Sequence, residues 1–119
     1  MTLLVHTFVL DEQGECHLLD DPEDGSDMAG FENCRTKLWG SEAARALGAR
    51  FFLELATGDL HVEPADIEAF LAECKLLHRH TAVLASHSAY REDYVVARLS
   101  NITAAALRAR AVGGGVLVW

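Results

Sequence analysis

The side chains with which this chain could do chemistry are its six histidines, three cysteines and eighteen carboxylates, spread over 119 residues. His78 and His80 stand two residues apart, which puts them on different sides of a helix and not on one ligand face. Cys16 and His17 are adjacent, His87 lies beyond the expected end of the helix that carries His78, and neither Cys-x-x-Cys nor His-x-x-x-His occurs. Zinc-type spacing is therefore lacking. The acidic stretch Asp20–Asp27 fails as a calcium loop. With Gly25 as the invariant glycine and Asp20 at the first position, Pro22 takes the third and Phe31 stands where a bidentate glutamate is needed. No metal and no cofactor is expected.

Nucleophilic and acid–base patterns are equally sparse. Gly40-Ser41-Glu42 is not the Gly-x-Ser-x-Gly of a nucleophile elbow. Cys34 and Cys74 are the thiols weighed for pairing with a histidine. Cys74 falls on the apolar stripe of a helix, where cysteine acts as a small hydrophobe. Glu54, Glu63, Asp66 and Glu68 supply carboxylates, yet nothing in their spacing selects an acid and a base. Gly113-Gly114-Gly115 does not cradle phosphate, because a phosphate loop opens a helix and here the glycines follow one. No catalytic set is expected.

Charge is the more informative signal. Nine acidic residues and no Lys or Arg lie between Asp11 and Glu32, whereas the rest of the chain carries nine acidic and ten basic residues. The net charge of −8 thus arises from one segment. A field of that sign repels nucleic-acid phosphates and draws a basic partner; a solvated loop that keeps the chain soluble is the alternative reading. Arg91, Arg98, Arg108 and Arg110 could line a helix, but no stacking motif accompanies them, so nucleic-acid binding is not expected. Asp20, Asp21, Glu23, Asp24 and Asp27 are the candidate contacts to a cationic protein. Trp119 is added as an apolar anchor.

These residues must be positioned by a single domain spanning 1–119. Residues 2–10 read as a strand, with Glu15–Leu19 as the second arm of a hairpin. From Asp27 the spacing of Met28, Phe31, Cys34 and Leu38 predicts a short helix, which Gly40 ends. Ser41 reads as the N-cap of a second helix closed by Gly48. Phe51–Leu55 fits either helix or strand, and Leu60–Glu63 reads as a short strand. Pro64 opens a long helix whose stripe is Ile67, Phe70, Leu71, Cys74, Leu77, Thr81 and Leu84. Ser86–Tyr90 reads as a connection. A last helix runs from about Arg91 to Val112, burying Val95, Leu99, Ile102 and Ala106, before a strand at Val116–Trp119. Trp39 is placed in the core. The order predicts an α+β fold: a small mixed or antiparallel sheet with two long C-terminal helices packed on one face, the last strand pairing with the first.

The run Thr2–Leu10 lacks a basic flank and a cleavage site, and no span of about 18 apolar residues occurs, so neither a targeting segment nor a membrane helix is expected. Three widely spaced cysteines fit a reducing, cytoplasmic compartment.

Three stretches carry a resemblance: Gly30–Glu42, Gly58–Pro64 and Val112–Trp119. Through them the chain resembles small uncharacterised actinobacterial proteins and, more loosely, the immunity proteins of bacterial toxin systems. That likeness implies a small, acidic, non-catalytic cytoplasmic protein that blocks a toxin domain by covering it. It carries over no binding residue, because immunity proteins share no common motif. The leading expectation is a protein-binding module facing a cationic toxin domain. A structural subunit or homo-oligomer, meeting through the Trp119 strand, and a small enzyme using His and carboxylate groups are the alternatives.

Overall fold

The computed structural model describes residues 2–19 and 27–119. Strand β1 (Thr2–Leu10) is the centre of a five-stranded antiparallel sheet. One side of β1 pairs with β2 (Cys16–Leu18) near its end and with β3 (Met28–Phe31) near its start. The other side pairs with β5 (Gly115–Val118), which carries the edge strand β4 (Leu60–Val62). The first and last strands therefore meet, and the closing Val-Leu-Val-Trp run is taken up by Val5↔Val118 and its neighbours. Among the described residues no helix is long and apolar enough to cross a membrane.

Alternation along the strands sorts the sheet into two faces. Leu3 and Val5 of β1, Val116 and Val118 of β5, and Leu60 and Val62 of β4 are fully buried beneath the helices. Against them pack α2 (Ile67–His78) and α4 (Glu92–Val112), burying Phe70, Cys74 and Leu77 from one and Val95, Leu99, Ile102, Ala105, Ala106 and Ala109 from the other. Thr7 sits on the same face and satisfies its hydroxyl by donating to the Ala105 carbonyl at 2.7 Å. The fold is α+β.

Local signals explain several boundaries. Ser41 caps α1 (Glu42–Leu47) by accepting the Ala44 N–H, and Gly48, at φ +107°, ends it in the left-handed conformation that glycine tolerates. Gly113 closes α4 in the same way. Trp39 is fully buried and donates its indole N–H to the Ala29 carbonyl at 2.9 Å.

Three readings of the sequence are corrected. Residues 28–31 form strand β3, not the start of a helix. Gly30 stands at φ +122°, and pairing of this segment with Thr2–Leu4 satisfies its backbone. Only Arg35–Trp39 forms a helical turn, of π type, burying Leu38 and Trp39. The long helix expected after Pro64 is two helices, because Arg79 and His80 tighten the chain and α3 (Thr81–Ser88) sets off anew. The apolar stripe continues across this break, but α2 lies along α4 whereas α3 also reaches the Arg35–Trp39 turn. Ser86–Ser88 belong to α3, which Ala89 ends at φ 66°. Phe52–Ala56, left open by the sequence, is a 3-10 helix.

Candidate functional site

The face of the sheet opposite α2 and α4 brings together side chains far apart in sequence. On β1 it presents Leu4, His6, Phe8 and Leu10. Across the ladder lie Leu117 of β5 and Trp119 just beyond it, His61 of β4, and Cys16 and Leu18 of β2. Phe8 is the pivot. Its ring lies over Gly115, where any Cβ would collide with the ring and with the Val62 carbonyl. That clearance lets the His61 imidazole stack on Phe8 at 4.8 Å with 16° between the planes. His61 in turn spans two side chains. Its Nδ1 is 3.1 Å from Glu63 Oε1, and its Nε2 is 3.9 Å from Cys16 Sγ. Cys16 is exposed, while Cys34 and Cys74 are buried. Burial pushes the Cys74 thiol up to about 12.

A second cluster sits where β3 meets α4. Phe31, Tyr90 and Tyr94 stack at centroid distances of 4.9–6.4 Å. The Arg98 guanidinium lies 4.9 Å above the Tyr94 ring. Tyr94 Oη accepts the Phe31 N–H at 3.1 Å, and Tyr90 Oη donates to Asn33 Oδ1. Beside them is a pocket of about 220 Å³ lined by Thr2, Met28, Gly30, Phe31, Tyr94 and Arg98. Phe31 remains 52% exposed. Among the described residues the Arg98 Nη1 also contacts the Met28 sulfur at 3.8 Å, and its buried Nε finds no partner. Burial is the main cause raising both tyrosines, Tyr90 to about 12, and the neighbouring Cys34 thiol adds to it.

The β1–β2 turn holds a third grouping. Asp11 accepts the Gln13 and Glu15 N–H groups, each at 2.9 Å, and pairs with His17 Nε2 at 2.8 Å. The His17 contact, followed by these backbone bonds, holds the Asp11 carboxyl below its ordinary range. Asp11, Glu15 and His17 offer ligand atoms within 4.8 Å of one another. The two Asp11 oxygens are already spent on the turn itself.

Of the residues named from the sequence, Asp20, Asp21, Glu23 and Asp24 lie outside the described residues. Asp27 is half-buried, and its carbonyl accepts the Val5 N–H at 2.7 Å. Trp119 is 46% exposed, exchanges backbone bonds with Leu4 and donates its indole N–H to His6 Nδ1 at 2.9 Å. Asp27 and Trp119 thus flank β1 from opposite sides, about two strand spacings (~10 Å) apart. Neither the Phe31–Tyr90–Tyr94–Arg98 cluster nor the Cys16–His61–Glu63 alignment was named from the sequence. One signal for the first was available: Tyr94 and Arg98 stand four residues apart on one side of α4, with Tyr90 just before that helix. The chain matches no protein-family model, no curated protein and no solved structure.

Proposed function

We propose that this chain is a non-catalytic protein-binding module for a cationic protein surface, of the kind an immunity protein presents to a toxin domain. The observation that carries the reading is the half-exposed cluster of Phe31, Tyr90, Tyr94 and Arg98. Tyr and Arg are among the residues that dominate binding energy at interfaces, and Phe31 and the two tyrosines supply a stacked aromatic surface here. Its place in the chain adds to the argument. Phe31 belongs to the acidic segment Asp11–Glu32, so the net negative charge and one of the aromatic anchors are contiguous in sequence. In such a surface the charge speeds encounter while the desolvated anchors slow release.

The test is binding to the product of the neighbouring gene, followed between about 0.05 and 0.3 M salt. Neutralising Asp20, Asp21, Glu23 and Asp24 together (Asn and Gln replacements) should slow association and flatten its salt dependence. Phe31→Ala should leave the salt slope alone and speed dissociation by at least tenfold, as expected for an anchor worth about 1.4 kcal/mol or more. If both variants associate and dissociate as the wild type does, the surface is not the interface. Failure of that neighbour to bind at all would remove the immunity reading.

A further inference from the structure

We propose that Cys16 is a thiol-exchange site, assisted by His61 and Glu63, that takes up a low-molecular-weight disulfide as a lasting mixed disulfide. The proposal is independent of the binding surface on β3 and α4. Its basis is the alignment of three groups from two segments: an exposed thiol on β2, an imidazole nitrogen 3.9 Å away on β4, and a carboxylate just after β4, 3.1 Å from the other ring nitrogen. A nucleophile beside a base that a third group orients is the arrangement that activates thiols. Glu63 fixes the tautomer with the proton on Nδ1, leaving the Nε2 lone pair toward Cys16. Stacking on Phe8 holds the ring in that plane. Glu63 is a positioning residue, because it reaches the sulfur only through His61.

The step balances without further cofactors. Cys16 passes its proton to His61 Nε2, and the thiolate sulfur attacks one sulfur of the incoming disulfide. The Cys16–S bond forms as the incoming S–S bond breaks. The leaving thiolate then takes the proton from His61 and departs as a thiol. Cys16 is oxidised and the disulfide reduced. Resolution by a second thiol of the same chain is blocked, since Cys34 and Cys74 are fully buried. The mixed disulfide therefore persists until an external thiol attacks it.

The experiment uses the intact chain in chelator, with oxidised glutathione as probe and the modified cysteine identified by mass spectrometry. The reference is a free peptide of residues 14–18, which retains the flanking Glu15 and His17. Other titratable groups near the thiol are Asp11, bonded to His17 in the same turn, and Glu63, just after β4. Wild-type Cys16 should react at pH 7 about tenfold faster than the peptide, and His61→Gln should fall to the peptide rate. Glu63→Gln should fall toward the peptide rate, and Glu63→Asp should recover part of the wild-type rate, because a carboxylate is what orients the imidazole. A merely structural role would show no such rescue by the conservative variant. Silence of Cys34 and Cys74 toward the probe reports that each variant is folded. If a variant exposes them, the comparison of wild type with peptide decides alone. Equal rates for wild type and peptide, or for wild type and a folded His61→Gln, overturn the proposal.

Discussion

Glu73 offers the sharpest test of how this fold is held together. It is a carboxylate on α2 that is almost fully buried, and it accepts three backbone N–H groups: Arg50 at 2.7 Å, Phe51 at 3.1 Å and Phe52 at 2.9 Å. These are the orphan donors at the start of the 3-10 helix Phe52–Ala56, so one side chain caps a helix from another element. Bonds to a charged acceptor net roughly 1.5–3 kcal/mol each, offset here by the cost of drying the carboxylate. In Glu73→Ala the Arg50 and Phe51 donors border an open pocket and regain water, whereas the buried Phe52 N–H does not. The net loss should be about 3 kcal/mol, most of it the unsatisfied Phe52 donor and the loosened turn. Glu73→Gln retains one acceptor oxygen and turns an NH₂ toward the remaining donors, which should cost about 2 kcal/mol. For a chain of this length 0.25 kcal/mol is roughly one degree in melting temperature, so the alanine variant should melt about 12 °C lower. Thermal unfolding by circular dichroism measures the shift, and amide exchange at Phe52 localises it. An alanine variant within about 0.5 kcal/mol of the wild type, or a glutamine variant less stable than the alanine one, would show that the capping argument is wrong.

Two further outcomes are expected. Phe70 stacks on Phe52 at 5.3 Å and meets Phe51 edge-on at 5.6 Å, so Phe70→Ala should cost about 3–5 kcal/mol in urea unfolding. Glu68→Ala, on the exposed side of the same helix, should stay within about 0.5 kcal/mol, and equal effects would mean that the helix face is wrong. Tyr90 and Tyr94 are the protein's two tyrosines, and both titrate above the ordinary value, Tyr90 at about 12. The unfolded chain would ionise them first, so their contribution is intact below about pH 10 and is lost as pH rises from there toward 12. Phenolate absorbance should therefore lag that of the unfolded protein near pH 10–11, and coincident titration curves would refute the packing of this cluster.

What could be read from the sequence was whatever short-range chemistry dictates. Ser41 and Gly48 bracket α1 because a side-chain oxygen and a left-handed glycine act on groups within four residues. The face of α4 through Val95, Leu99, Ile102 and Ala106 was legible because burial repeats with the helix turn. The hairpin of β1 and β2 and the strand that closes the chain followed from apolar runs bounded by turn residues. Segment 28–31 was misread because Met28, Phe31, Cys34 and Leu38 keep a helical spacing, while the strand there is decided by pairing with residues 2–4. The break at Arg79–His80 likewise has no strong local punctuation, and it follows from what each half packs against.

The candidate sites belong entirely to that second kind. Tyr94 reaches the Phe31 backbone across 63 residues, and His61 reaches Cys16 across 45. Phe8 supports the latter contact only because Gly115, on the last strand, leaves room for its ring. A sequence determines the charge of a segment and the period of a helix, since each is a sum or a spacing along the chain. Which thiol meets which imidazole depends on strand order and register, and those are set by the free energy of burying the whole core at once.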